Sequence, residues 1–188
     1  IHSPFGPANI KTALHGRFNA FNVTAAVVAV TGLGFSFTDV ANAASHLLPV
    51  DGRMQEVKGG SDIRVVVDYA HTPDALASAL SALKQSCTGA LWVVFGCGGD
   101  RDAGKRPEMG RIADSLADQL VVTNDNPRSE SPEMIAEDIL VGITGSPCHV
   151  ELDRGAAIRH AVLNARSGDT VLVSGKGHEN YQLVGKNK

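Results

Sequence analysis

The sequence predicts an α/β fold: a mostly parallel sheet with helices on both faces, preceded by a short helical segment. Three observations carry that reading. From Arg53 onward, short apolar and β-branched runs alternate with segments of helical periodicity. The runs are apolar on both parities, as strands buried on both faces require. Before Arg53 lie two helical patterns with no strand between them, so the βα rhythm starts only there.

In chain order, residues 1–18 are polar and loop-like, with Pro4, Gly6, Pro7 and Gly16. Asn19 to Val30 reads as an alanine-rich helix ended by Thr31-Gly32-Leu33-Gly34. Thr38-Asp39 starts a second helix that runs to about Leu47. Pro49-Val50-Asp51-Gly52 is a hinge signal that divides residues 1–48 from 49–188. Strands are expected at Arg53–Val57, Ile63–Val67, Leu91–Phe95, Leu120–Thr123, Cys148–Glu151 and Thr170–Val173. Leu76, Leu80 and Leu83 share a helical face, as do Met109, Ile112, Ala113 and Leu116. Ile135, Ile139 and Ile143 mark a further helix, and Ile158, Ala161, Val162 and Ala165 the last. Thr72-Pro73, Ser131-Pro132 and Asp153 are helix starts: a capping side chain, twice with a proline at the first helical position.

The 188 residues suffice for one good core, or for one domain with a piece of another, and 43% hydrophobic content with 20 glycines fits a globular α/β protein. A net charge of −3 speaks against a general nucleic-acid binder. Cys87, Cys97 and Cys148 match no zinc spacing and read as free thiols of a reducing cytoplasm. No apolar run reaches the roughly 18 residues of a membrane span. The chain begins at Ile1 without a methionine, which suggests a fragment.

Polar clusters recur where strands open into loops, the edge at which open α/β sheets bind ligands. In Asp125-Asn126-Pro127-Arg128, an anion, an amide and a guanidinium stand within four residues. That set suits a ligand with both an ammonium and a carboxylate. It suits equally an Asx-type turn with a surface arginine, and the local sequence does not decide. Asp68, at the end of the Ile63–Val67 strand, can accept hydrogen bonds from a ribose or an amine. His71 reads as a turn residue, or as a contact for a base or phosphate. Gly99 to Lys105 match G-x-x-x-x-G-K, but Arg106 stands where a P-loop needs Ser or Thr for Mg²⁺. Pro107 also disfavours a helical Arg106. The run also lacks the third glycine of G-x-G-x-x-G, so both nucleotide fingerprints are rejected. Its glycines would let backbone approach a ligand, with Arg101, Lys105 and Arg106 able to clamp anions. Gly175-Lys176-Gly177-His178-Glu179 reads either as a glycine turn with solvated Lys176 and Glu179, or as backbone contacts beside an anion for an ammonium.

Six stretches then resemble, in order and spacing, the Mur ligase family, and within it the branch that adds meso-diaminopimelate. They are GRFNAFN (16–22), GRMQEV (52–57), VVDYAHTPDAL (66–76), VFGCGGDRDAGKRPEMG (94–110), TNDNPRSE (123–130) and SGKGHE (174–179). The resemblance spans nearly all 188 residues. It implies a Rossmann-like fold and an ATP- and Mg²⁺-dependent amide ligase of peptidoglycan synthesis in the cytoplasm. That ligase joins meso-diaminopimelate to UDP-N-acetylmuramoyl-L-alanyl-D-glutamate, the UDP-N-acetylmuramoyl-dipeptide. ATP phosphorylates the carboxylate, and the amine attacks the acyl phosphate. Residues 1–48 would be the end of the central ATP-binding domain, and 49–188 most of the C-terminal amino-acid-binding domain. Asn22 and Arg53 would touch the nucleotide, with Asp68 on its ribose and His71 nearby. Arg101, Asp125, Asn126, Arg128, Gly175 and Glu179 would surround the diaminopimelate. Lysine-adding relatives lack the arginine of DNPR, so Arg128 points to diaminopimelate. The resemblance assigns no catalytic side chain and no metal ligand here, since the family's P-loop and its Mg²⁺-organising lysine have no counterpart in this chain. It implies neither nucleic acid nor membrane insertion. Two rivals stand beside it: a related ligase adding another amino acid, and a non-catalytic binding module of the same fold.

Overall fold

The computed structural model describes residues 1–14, 16–57, 59 and 62–185. They form two compact units, Ile1–Val50 and Asp51–Lys188.

In the first unit, β1 (His2–Ser3) and β2 (Gly6–Pro7) pair antiparallel, a two-residue ladder inside a stretch that reads as loop. Helix α1 (Arg17–Gly32) follows, then α2 (Phe37–Ala44). The second begins earlier than Thr38-Asp39, because the Ser36 side chain accepts a hydrogen bond from the Asp39 amide. Val23, Val27 and Ala44 form the small buried core.

The second unit is a six-stranded sheet. Its strands are β3 (Gln55–Val57), β4 (Arg64–Asp68), β5 (Leu91–Phe95), β6 (Gln119–Val122), β7 (Cys148–Val150) and β8 (Thr170–Ser174). They lie in the order β3-β4-β8-β5-β6-β7, with β3 antiparallel and all other neighbours parallel. The helices are α3 (Pro73–Lys84), α4 (Lys105–Leu116), α5 (Pro132–Leu140) and α6 (Arg154–Asn164). Thr72, Ser131 and Asp153 cap α3, α5 and α6, each accepting from an amide three residues on.

Topology decides which face each helix covers. From β4 through β5 and β6 to β7 the chain steps one way across the sheet; from β7 to β8 it steps back. With right-handed crossovers, α3, α4 and α5 fall on one face and α6 on the other. The core agrees. Ala157 and Ala161 of α6 pack with Val94, Val121, Val171 and Val173. The strand residues of opposite parity, among them Val66, Val93, Phe95, Leu120 and Leu172, are buried as well. Leu76, Leu80, Met109, Ile135 and Ile139, on the apolar stripes of α3, α4 and α5, are buried too. Each such side chain contributes roughly 1.5–3 kcal/mol by leaving water.

Two local readings need correction. The first strand starts at Gln55 rather than Arg53, because Gly52 and Met54 adopt positive φ (69° and 46°), which extended strand backbone excludes. Arg106 lies inside α4 although Pro107 follows it. Pro107 is the third helical residue, where the missing N–H is one the helix leaves unpaired anyway.

Carboxylates away from the site stitch connections together. Asp114 accepts from the Thr144, Gly145 and Ser146 amides, Ser146 at 2.7 Å. The Thr144 amide first, then Ser146, hold its carboxyl down at about 2, against an ordinary value of 3.8. A lowered carboxyl contributes stability above its unfolded value, and that contribution disappears as pH falls toward the folded one. Asp114→Ala is therefore expected to cost about 1 kcal/mol at pH 7, after solvent screening, and almost nothing near pH 2. Denaturant melts at both pH values check this; an equal loss at both would refute it.

The boundary at Val50 carries its own expected result. Residues 51–188 alone should melt cooperatively, because the sheet and its four helices lie wholly within them. A broad, non-cooperative transition would show that the boundary is misplaced.

Candidate functional site

All parallel strands of the second unit end at one edge, and β3 begins there. Four connections meet along it: residues 51–54, 69–72, 96–104 and 123–131, with the segment after β8.

The first group surrounds Tyr69. Asp68 is 8% exposed, and its two oxygens accept the amides of Met54 and Ala70, both at 2.8 Å. It thereby fixes the turn that carries Arg53, whose guanidinium lies 4.6 Å over the Tyr69 ring. Gly52 is needed there: a Cβ would sit 2.2 Å from the His178 amide nitrogen. His71 is exposed, packs edge-on against Tyr69 with ring centroids 4.8 Å apart, and holds the Tyr69 carbonyl through Nδ1 at 2.8 Å. Lys105 donates to the His71 carbonyl at 2.8 Å.

The second group surrounds Asn126 and Glu179. Asn126 is 8% exposed; its Oδ1 accepts from Lys176 Nζ at 2.9 Å and from the Leu183 amide at 2.8 Å. Its Nδ2 donates to Glu179 Oε2 at 3.4 Å. Glu179 Oε2 also accepts from Lys176 at 3.1 Å, and Oε1 accepts from the Tyr69 hydroxyl at 3.3 Å. Burial alone would raise the Glu179 pKa, but the hydrogen bonds from Lys176, Asn126 and Tyr69 outweigh it and hold the group below its ordinary value. Burial, then the Glu179 charge, push the Tyr69 hydroxyl up. The Tyr69 bond to Glu179 joins the two groups.

Arg128 sits beside Asn126 with φ 53°. Its Nη1 donates to the Gly99 carbonyl at 2.7 Å and to the Asn126 carbonyl at 3.3 Å. Those two bonds anchor one corner of the guanidinium. Asp125 is 8% exposed, and its Oδ2 is buried with no hydrogen-bond partner among the described residues. A Cβ at Gly175 would stand 2.7 Å from that oxygen, and the φ of 113° there already excludes most side chains. Arg154 flanks it, bound to the Ser174 and Asn124 carbonyls at 2.7 and 3.3 Å; burial lowers its pKa, against the pull of Asp125. A buried carboxylate oxygen without a donor is the arrangement a ligand ammonium would complete.

The glycine-rich loop has a different role from the one its sequence suggests. A Cβ at Gly96 would lie 2.0 Å from the Thr123 carbonyl oxygen, and one at Gly99 2.0 Å from that of Pro127. These glycines admit the neighbouring DNPR loop. Gly99 donates to the Asn126 carbonyl at 2.9 Å, and Asp100 accepts from Ser129. Arg106, 2% exposed, binds Glu130 through both carboxylate oxygens and Asp138 at 2.9 Å. Its guanidinium is a structural hub between the loops and cannot serve as an anion clamp. Arg101 remains on the exposed rim, holding the Asp100 carbonyl at 3.0 Å.

The edge thus brings together Arg53, Asp68 and His71, and separately Asp125, Asn126, Arg128, Gly175 and Glu179. Arg101 joins neither cluster by a hydrogen bond of its side chain. Asn22 stands exposed on α1 in the first unit, its amide 3.4 Å from Asn19 Oδ1. Three participants carry no plain sequence signal. Tyr69 and Arg154 look like ordinary loop and helix residues. Lys176, which reads as solvated between two glycines, is 6% exposed and bonded on two sides. Burial pushes the thiol of Cys97 up to about 11, so it is inert at neutral pH. All three cysteines are free. Among the described residues no His, Cys, Asp and Glu side chains gather in threes as a metal site would require, and no helix is long and apolar enough to cross a membrane.

Comparison with known proteins gives this edge a family context. The chain is 51% identical over 186 residues to the UDP-N-acetylmuramoyl-L-alanyl-D-glutamate–2,6-diaminopimelate ligase of Chromobacterium violaceum. That match covers 98% of this chain and 38% of the relative, so the chain spans well under half the relative's length. A solved structure of a ligase with the same name matches at 43% identity and TM-score 0.71, covering 97% of this chain and 38% of that one. The UDP-N-acetylmuramate-alanine ligase of Thermotoga maritima shares the fold at 22% identity and TM-score 0.71, over 92% of this chain and 37% of its own. A family model described as Mur ligase, glutamate ligase domain, matches residues 52–177, and the chain belongs to that family.

Proposed function

We propose that this chain is the amino-acid-binding portion of an ATP-dependent ligase that adds meso-diaminopimelate to UDP-N-acetylmuramoyl-L-alanyl-D-glutamate in the cytoplasm. Residues 1–48 are the end of its central ATP-binding domain, and residues 49–188 belong to its C-terminal domain. The observation that carries the reading is the pairing around Asn126 of a guanidinium, Arg128, with a carboxylate, Glu179. The relatives named for diaminopimelate support it.

In this reading Arg128 presents its fork to the distal carboxylate of diaminopimelate, and Glu179 faces the neighbouring ammonium. Asp125 supplies an acceptor for a second ammonium through its unpaired oxygen, Gly175 leaves room for it, and Arg101 meets the proximal carboxylate from the rim. Holding both ends of the amino acid fixes its attacking nitrogen, and such orientation is worth several kcal/mol of barrier. Arg53 and His71 face the nucleotide. Asp68 meets the ribose through the lone pairs that its two backbone bonds leave. ATP, when bound, supplies the phosphoryl group that activates the acceptor carboxylate. The described residues offer no cluster suited to Mg²⁺.

The test has two arms. This chain alone, with ATP, Mg²⁺ and both substrates, should release no phosphate, since no loop in it pairs a phosphate cradle with a magnesium-binding hydroxyl. A chimera in which it replaces the matching stretch of the Chromobacterium violaceum relative should turn over meso-diaminopimelate and reject lysine. Turnover of ~1 s⁻¹ by the chain alone, or a chimera that prefers lysine, would overturn the reading.

A further inference from the structure

We propose that Lys176 is an internal stand-in for a ligand ammonium, filling the slot between Asn126 and Glu179 until a ligand displaces it. The inference rests on the reading that this cluster takes the distal end of diaminopimelate, and it adds to that site a residue that sets the affinity of every ligand entering it.

The slot has the makings of an alkylammonium site. Lys176 Nζ lies 2.9 Å from Asn126 Oδ1, 3.1 Å from Glu179 Oε2 and 5.5 Å from the centre of the Tyr181 ring. Two oxygen acceptors and an aromatic face recognise a primary ammonium whatever chain bears it. Lys176 is 6% exposed, and the Glu179 side chain 18%. Both Glu179 oxygens are engaged: Oε1 accepts from Tyr69, and Oε2 accepts from both Asn126 and Lys176, which fills its two lone pairs. A ligand ammonium arriving at Oε2 therefore meets a like charge in a poorly hydrated place, and the two cannot share it. Room for the displaced side chain exists: Lys176 lines a cavity of about 440 Å³ that extends past Gly177 to Val67, Ile158 and Val173.

Displacement acts as a threshold. A ligand whose distal end carries only an ammonium exchanges one ammonium for another and gains little. Meso-diaminopimelate gains in addition a carboxylate bond to Arg128. Removing the stand-in should thus help every ligand by a common factor.

Two measurements on this chain test the proposal. In the first, the amines are acylated by a small reagent and Lys176 modification is followed by mass spectrometry. Lys176 should react slowly in the free chain and at least about tenfold faster with saturating meso-diaminopimelate. In the second, calorimetry compares the chain with K176M. Meso-diaminopimelate and lysine should both bind at least about tenfold tighter to the variant, by the same factor, with cooperative melting retained. Binding that leaves Lys176 protected overturns the stand-in and leaves the diaminopimelate reading intact. So does weaker or unchanged binding by K176M, or a gain confined to one ligand. No binding of meso-diaminopimelate to either chain overturns both. If K176M fails to fold, the acylation result decides alone.

Discussion

Replacing Arg128 with alanine is expected to lower kcat/KM for meso-diaminopimelate at least about a hundredfold in the chimeric ligase, roughly 2.7 kcal/mol, with KM for ATP nearly unchanged. The size follows from chemistry. Meso-diaminopimelate differs from lysine by one carboxylate beside the distal ammonium, and a planar fork meets a carboxylate with two parallel bonds. The structure holds that fork still: Nη1 is anchored by the Gly99 and Asn126 carbonyls, and the backbone on both sides is tied to the segment after β8 through Leu183 and Gly185. A preorganised group loses little on binding, so its removal shows nearly its full worth. Lysine, bound in its place, would leave the guanidinium without its anion, which costs several kcal/mol where water is scarce. Steady-state kinetics with the amino acid and ATP varied separately decide the matter. Equal damage to both would place Arg128 elsewhere in the reaction.

The second large effect is structural. Gly99→Ala is expected to cost about 3 kcal/mol and to lower the melting temperature by about 10 °C, because the new methyl must push apart two packed loops. Its Cβ would stand 2.0 Å from the Pro127 carbonyl oxygen, which is backbone and cannot rotate away. Separation would also break the 2.9 Å bond from the Gly99 amide to the Asn126 carbonyl and move the carbonyl that anchors Arg128. Gly104→Ala in the same loop is the control. Its Cβ would meet only the Asp102 carboxylate at 3.2 Å, a movable side chain, so its melting temperature should stay within a few degrees. Equal melting temperatures for the two variants would show that the loops separate without cost.

Much of the architecture was legible in the chain because its causes are local. A capping side chain that accepts a hydrogen bond from the amide three residues on, a proline at the first helical position, apolar residues on one helical face and short β-branched runs all act within a few residues. They placed α3, α5 and α6 and the parallel strands to within a residue or two. The shared edge of the polar loops followed from the rule that loops after parallel strands meet at one side. The errors have two origins: the early cap at Ser36 is local but invisible to periodicity, and the positive φ at Met54 belongs to a turn held by Asp68, fourteen residues on.

The sequence alone therefore determined the fold class, the order of elements from α1 onward and the edge on which Asp68, Asp125, Asn126, Arg128 and Glu179 would lie. The tertiary structure decided what each polar group meets. Lys176 and Asn126 are 50 residues apart, and Arg106 and Glu130 are 24 apart. No short pattern distinguishes a buried lysine bonded to a distant amide from one in water, or a glycine that admits a neighbouring carbonyl from one that admits a ligand. The reason is physical: hydrogen bonds between side chains and backbone-to-backbone approach depend on distances of a few tenths of an ångström. Those distances exist only once the sheet has brought its loops to one edge.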